Sequence, residues 1–433
     1  MSEVAMAGLA FTIVPRHVLG RGYRAPSDTL DIACIGVGGM GRNDVTGVAG
    51  ENIYALCDVD WRMAQNAFGT YPRAKRFRDF RELLEKDGKN IDAVTVSTPD
   101  HTHAVAAMMA LKMGKHVYCQ KPLARTVSEV RALVDQAKRS KGATQMGNQG
   151  HANEGTRQIR EWVEAGVIGT VSEVQFWTNR PIWPQGVNRP TDMHHVPPTL
   201  DWDLWLGPAA ARPYHPGYSP FNWRGWWDFG TGALGDMACH IMDAAFWVLD
   251  LRYPSRIIPE STQLNPETAP RASRIEFEFP ARGSRPPVKL VWRDGSITPS
   301  RPADWPIESL WPFEDSGQLW VGDKGTLVAG TYGDNPRTSD EKQNMELKAT
   351  PPKQTFARTK GVYSEWVDAC KGGAKAGSNF VDHAGPLTEM ILLGNLAVRV
   401  GRTLELNPAT GQITNAQIPD EYLRPVYRAG WSL

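Results

Sequence analysis

Three groups of residues in this 433-residue chain have the types and spacing that chemistry requires. In "VYCQKPLA", residues 117–124, a strand-like run ends and Lys121 stands between Gln120 and Pro122. A lysine placed there can hydrogen-bond a substrate hydroxyl and stabilise the oxyanion that develops as a hydride departs. The proline stiffens the backbone behind it. In "GALGDMACHIMDAAFWVLD", Asp236 and His240 are four apart and Asp243 lies three further on. On one helix that spacing puts all three on one face. A histidine ionising near neutral pH is suited to take a hydroxyl proton, and a carboxylate one turn away can orient the ring or hold the substrate. Taken alone, the pattern also fits a helix with a satisfied core histidine. The third group is Gly36, Gly38 and Gly41, a G-x-G-x-x-G run enclosing Gly39 and Met40, with Asp58 22 residues beyond its first glycine.

The elements that must position these groups follow from the hydrophobic pattern. "LDIACIG", "NIYALCDVD", "IDAVTVSTP", "KHVYCQKP" and "ATQMGNQG" read as strands with helical patterns between them. Such alternation implies parallel βαβ units. The glycine run follows a strand and opens a helix. In that context the first glycine makes the turn, the second admits a pyrophosphate, the third lets helix and strand pack, and phosphate meets the helix N-terminus. Asp58 ends the second strand, where it would bind a ribose diol and repel a 2′-phosphate. NAD is therefore expected over NADP, a preference that Arg42 and Arg62 soften. Ligands of a doubly wound sheet sit beyond the carboxyl ends of its strands. Thr98, Pro99 and His103 of "STPDHTH", and Gln120 and Lys121, are thus expected at the cofactor. Asn148, Gln149 and His151 follow the next strand and are expected as further lining.

After about residue 150 the character changes. "TRQIREWVEAGVIG" reads as a helix. "VSEVQFWT", "RIEFEFP", "VKLVW", "QLWVGD", "GTLVAG" and "MELKAT" read as strands of an antiparallel sheet. "AGPLTEMILLGNLAVRVG" is a strongly apolar helix whose Gly394 permits close packing. Trp177, Trp183, Trp202, Trp205, Trp223, Trp226 and Trp227 crowd the approach to the His240 segment. Sugar rings stack on aromatic planes, and Asn179, Arg180, Arg224 and Asp228 can hold hydroxyls. A carbohydrate pocket that includes Arg180, Trp226 and Trp227 is expected. His194 and His195 have no carboxylate at matching spacing, so no metal site is expected.

Composition narrows the partners. Apolar residues make up 41%, charged residues 22%, and the net charge is +1, which argues against nucleic acid or an anionic membrane as the main partner. Five cysteines without C-x-x-C spacing argue against a zinc ribbon and a disulfide framework. The apolar run from Val4 to Val14 is too short to span a bilayer. It resembles the end of an export signal, which would make the protein periplasmic; as a plain arm it would leave it cytoplasmic. The expected division is an arm at 1–29, a dinucleotide-binding domain at 30–150 and a second domain at 151–433, with a helix at 384–401 packing back toward the first.

Together these residues resemble the Gfo/Idh/MocA family of oxidoreductases. The resemblance rests on Gly36, Gly38, Gly41, Asp58, Thr98, Pro99, His103, Lys121, Pro122, Asp236 and His240. It implies an α/β fold: a Rossmann NAD-binding domain followed by an α+β domain with a large open, mostly antiparallel sheet. It implies an NAD(P)-dependent dehydrogenase acting on the CH–OH of a sugar, glycoside or cyclitol, in which Lys121 assists, His240 is the acid/base and Asp236 orients substrate or histidine. A homo-oligomer, dimer or tetramer, formed through the open sheet is also implied. Two rival activities remain open at this point: a redox-cycling glycosidase with no net redox change, and a non-catalytic NAD-bound sensor. One departure matters. The glutamate usual before the lysine is Gln120 here, which weakens an ion pair or hydrogen bond at that point.

Overall fold

The computed structural model describes residues 28–306, 311 and 314–433. The Val4–Val14 run, and the export reading attached to it, lie outside the described residues. Strands β1 (Asp31–Ile35), β2 (Asn52–Cys57), β3 (Lys75–Phe77), β4 (Ala93–Val96), β5 (His116–Cys119) and β6 (Thr144–Met146) form a parallel sheet in the order β3-β2-β1-β4-β5-β6. Its inner strands are covered on both faces, which is why they read as unbroken apolar runs; all four residues of β4 are buried. The strand order reverses between β1 and β4, the place where a doubly wound sheet opens its ligand crevice. The short edge strand β3 was not visible in the hydrophobic pattern, because "KRF" is mostly polar and exposed.

The second sheet has eight strands in the order β13-β12-β11-β7-β10-β9-β8-β14. They are β7 (Val171–Trp177), β8 (Arg256–Ser261), β9 (Ser273–Phe279), β10 (Val288–Arg293), β11 (Gly317–Gly322), β12 (Gly325–Gly330), β13 (Arg337–Thr338) and β14 (Leu404–Glu405). β7 and β10 run parallel and the other neighbours antiparallel. In β9 the buried Ile275, Phe277 and Phe279 alternate with half-exposed Arg274, Glu276 and Glu278, the pattern of one covered face. "MELKAT" is not a strand. It belongs to the helix Glu341–Ala349, whose first amides are capped by Asp340 accepting from Lys342 N (2.9 Å) and Gln343 N (3.3 Å). A cap followed by good helix formers outweighs a two-residue apolar alternation.

Two helices join the halves. Gly385–Val400 packs against Val127–Arg139 of the first half and against β8 and Gly232–Ile241 of the second. A Cβ at Gly394 would lie 2.7 Å from the Phe277 ring, so only glycine allows this approach. Val127–Arg139 starts at a capping box between Thr126 and Glu129.

Candidate active site

The glycine loop is built so that backbone can face a ligand. Gly36 has φ +76°, and a Cβ there would lie 2.6 Å from the Ser97 carbonyl oxygen; one at Gly41 would run into the Gly36 carbonyl. Gly39, at the N-cap of the helix Met40–Gly47, has only open space where its Cβ would be. Asp58 Oδ2 accepts from Val37 N (2.9 Å) and Gly38 N (3.1 Å), and Oδ1 accepts from Asp60 N (2.9 Å). Burial raises the Asp58 pKa, against the pull of these amides. The carboxylate therefore shapes the loop as well as lining the crevice, a role its strand-end position did not reveal. Asp58→Ala is expected to weaken NAD binding and to narrow the gap between NAD and NADP affinities. Titration of both nucleotides checks this, and unchanged affinities would remove Asp58 from the cofactor site.

Across the crevice, Lys121 Nζ donates to Asp236 Oδ1 (2.8 Å) and to the Asp236 backbone carbonyl (3.0 Å). Arg224 Nε donates to the same Oδ1 (3.2 Å). Burial opposes the Asp236 charge, but Lys121 and Arg224 outweigh it and hold the carboxyl below its usual range. His240 stands one turn further along the helix Gly232–Ile241. Its ring meets Tyr332 edge-on at 5.0 Å, and its buried Nδ1 has no hydrogen-bond partner among the described residues. Burial, and then the Lys121 cation, push its pKa down to about 3. The ring is thus a neutral imidazole throughout the physiological range, not a group that ionises near neutrality. Asp100, which the sequence reading passed over, also lines the cavity and accepts from Thr231 Oγ1 (2.8 Å). Burial and the nearby Asp236 push it up to about 7.

The departure at Gln120 has a structural counterpart. Gln120 Nε2 donates to both carboxylate oxygens of buried Asp44 (2.9 and 3.0 Å), which also accepts from Ser97 Oγ (2.6 Å) and Tyr363 Oη (2.7 Å). The anion in this layer sits on the glycine-loop helix, and the strand end before Lys121 carries the amide. Burial raises the Asp44 pKa to about 6, although its three donors pull the other way. Gln120→Glu would set a second carboxylate against the first. It is expected to lower stability by about 1–3 kcal/mol, more at pH 8 than at pH 5, because at low pH one acid is protonated and can donate. Asp44→Asn combined with Gln120→Glu should recover most of the loss. Denaturant unfolding of the unaltered protein and both variants at both pH values checks this; no recovery in the double variant would refute the exchange.

Several residues expected in the site lie elsewhere. His103 is buried, with ring nitrogens 2.8 Å from the Pro122 and Thr98 carbonyls, so it braces the two strand-end turns. The helix carrying His240 ends at Ile241, and after a turn at Met242 a second helix, Asp243–Val248, begins. Asp243 opens that second helix and is held by a separate set of partners. Its carboxylate accepts from Asn148 Nδ2 (2.7 Å) and lies 3.1 Å from His151 Nδ1 and 2.6 Å from His383 Nε2. Asn148 and His151 therefore belong to a buried polar cluster rather than to the cavity wall, and of that segment only Gln149 lines the cavity. Trp226 is buried among Tyr218 and its neighbours and donates Nε1–H to the Gly217 carbonyl (2.8 Å), and Trp227 lies beneath Arg399. A bulky ring in an aromatic-rich loop serves the loop's own core first. Trp183, Trp205 and Trp223 are the tryptophans of that stretch that line the cavity, with Arg180 and Arg224. Asp228 pairs with Arg212. Asp192, absent from the spacing argument about His194, lies 2.7 Å from His194 Nε2 and 3.2 Å from His215 Nε2 in an exposed loop cluster.

Gly36, Gly38, Gly39, Met40, Asp58, Thr98, Pro99 and Gln120 thus line one continuous cavity with Lys121, Asp236 and His240. Residues 30–148 match the family model described as the Gfo/Idh/MocA oxidoreductase family, NAD-binding Rossmann fold, and residues 152–284 match its C-terminal alpha/beta domain. The chain belongs to the Gfo/Idh/MocA family. Inositol 2-dehydrogenase of Salmonella typhimurium is 29% identical over 147 residues, covering 33% of this chain and 43% of that enzyme. A glycosyl hydrolase family 109 protein of Shewanella baltica is 29% identical over 185 residues, covering 39% of this chain and 40% of that protein. This Gfo/Idh/MocA chain thus aligns with less than half the length of either relative. The WlbA dehydrogenase of Bordetella pertussis, solved with NADH and UDP-GlcNAcA, shares the fold with a TM-score of 0.60 at 15% identity over 88% of this chain and 99% of that one. Among the described residues no helix is long and apolar enough to cross a membrane.

Proposed function

We propose that this Gfo/Idh/MocA protein is an NAD-dependent dehydrogenase that oxidises a secondary alcohol of a sugar, glycoside or cyclitol. The observation that carries this reading is the meeting of the glycine loop with Lys121, Asp236 and His240 in one cavity of about 550 Å³. The loop fits the cofactor: it opens a helix N-terminus at Gly39, with open space above that glycine and an acidic strand end beside it. When bound, NAD supplies the hydride acceptor. The chain supplies the rest. The neutral imidazole of His240 takes the hydroxyl proton while the carbinol C–H leaves as hydride, so the alcohol becomes a carbonyl and the electrons balance. The Lys121 ammonium, steered by Asp236 and its carbonyl, faces the developing oxyanion. Lys121 and, after it, Arg224 keep Asp236 charged against burial, so the lysine stays directed with its partner buried.

A second reading is favoured by the match to a glycosyl hydrolase family 109 protein: transient oxidation, elimination of the glycosidic group and re-reduction, with no net redox change. Both readings share the first step and the same residues. A polyol and glycoside panel, followed by NADH absorbance and by released sugar, separates them. Accumulating NADH is expected for the dehydrogenase, and sugar release without NADH for the glycosidase. A panel in which nothing turns over would favour a non-catalytic sensor.

A further inference from the structure

We propose that the mouth of the catalytic cavity is a subsite for an apolar aglycone, so that the substrate is an alkyl or aryl glycoside rather than a free sugar or cyclitol. The proposal rests on the sugar-oxidising reading of the same site and specifies its substrate. Three large apolar or aromatic side chains in the cavity wall are exposed: Ile182 at 60%, Phe221 at 43% and Tyr332 at 39%. They come from three separate segments, before the residue 200 loop, before the His240 helix, and after β12. Exposed apolar residues scattered singly carry no meaning, but several gathered on one binding cavity do.

Their surroundings separate two zones. The inner zone holds Lys121, Asp236, Asp100 and His240, charged or polar groups suited to hydroxyls. The outer zone is built mainly of rings, with one guanidinium lying flat on them. Phe221 meets Trp183 edge-on at 6.1 Å, and the Arg224 guanidinium stacks over Phe221 at 4.7 Å and over Trp223 at 4.2 Å. Arg224 links the zones, because its Nε holds Asp236 while its plane lies on the rings of the mouth. A free inositol carries a hydroxyl on every ring carbon and would leave this apolar surface wet or bury hydroxyls against it without partners. A glycoside bound with its ring against Lys121 and His240 directs its anomeric substituent outward. The continuity of the apolar surface with the catalytic groups selects that substituent as its occupant over a second copy of the chain.

The test compares kcat/KM for matched methyl and phenyl glycosides of common hexoses, using the full chain with NAD. The phenyl member is expected to be favoured by roughly ten-fold, the effect of a modest apolar contact in a binding pocket. Ile182→Ser and Phe221→Ser should each bring the phenyl-to-methyl ratio toward one. Ile182 is exposed, so its replacement leaves folding intact even if that of Phe221 does not. A wild-type ratio near one, or a ratio untouched by Ile182→Ser, overturns the proposal. If no glycoside turns over, the oxidation reading is judged on free sugars and cyclitols instead, and calorimetric binding decides the subsite separately. Phenyl β-glucoside binding the protein–NAD complex more tightly than methyl β-glucoside, with the difference lost in Ile182→Ser, supports it, whereas equal binding of the two refutes it.

Discussion

Lys121→Ala is expected to lower kcat/KM by about 10²–10³-fold, the loss typical of one oxyanion donor. NAD affinity should change little, because the glycine loop and Asp58 lie on the other wall. The ammonium is fixed by two contacts to Asp236, one to the carboxylate and one to the backbone carbonyl of the same residue. A guanidinium cannot reproduce that compact geometry, so Lys121→Arg should not restore turnover. The substitution carries a second readout. Lys121 is, after burial, the cause of the depressed His240 pKa, so removing the cation should move that pKa upward, as an NMR titration of the imidazole would report. Near-normal turnover with an unmoved histidine would contradict both assignments.

His240→Ala is expected to cost more, on the order of 10²–10⁴-fold, as for a positioned general base. The pH dependence follows from the pKa of about 3. The free protein should show no ionisation from His240 between mild acid and mild base, because the ring is already a neutral acceptor there. A limb near the ordinary histidine value that vanishes in His240→Ala would show that the ring is less deeply desolvated than the structure places it. The Lys121→Ala and His240→Ala losses should combine less than additively, since both act on one hydroxyl.

Much of this was legible because its signals are local. The glycine run, the strand before it and Asp58 lie within one βαβ unit, and Lys121 and His240 sit in short patterns whose geometry the backbone dictates. What escaped the sequence depends on contacts between distant segments or on which way a side chain turns. Asp44 meets Gln120 across 76 positions of chain, and neither residue alone signals the pair. Asp243 opens a helix of its own and turns its carboxylate to His151 and His383, although helical spacing would have set it on one face with Asp236 and His240. Tryptophan crowding marked the right loops, but composition does not separate Trp226, folded into the core, from Trp183, facing the cavity. Tyr332 reaches His240 from a loop that carries no motif at all.

The most direct test of hydride transfer at this site is a single turnover of the protein–NAD complex with a glycoside deuterated at its ring carbinol carbons, followed by mass analysis of the nicotinamide. One deuterium should appear in the cofactor, transiently if the protein is a redox-cycling glycosidase and durably if it is a dehydrogenase, and its appearance should be slowed by Lys121→Ala and by His240→Ala. A glycoside that binds, or is cleaved, while the cofactor never acquires deuterium would contradict the mechanism.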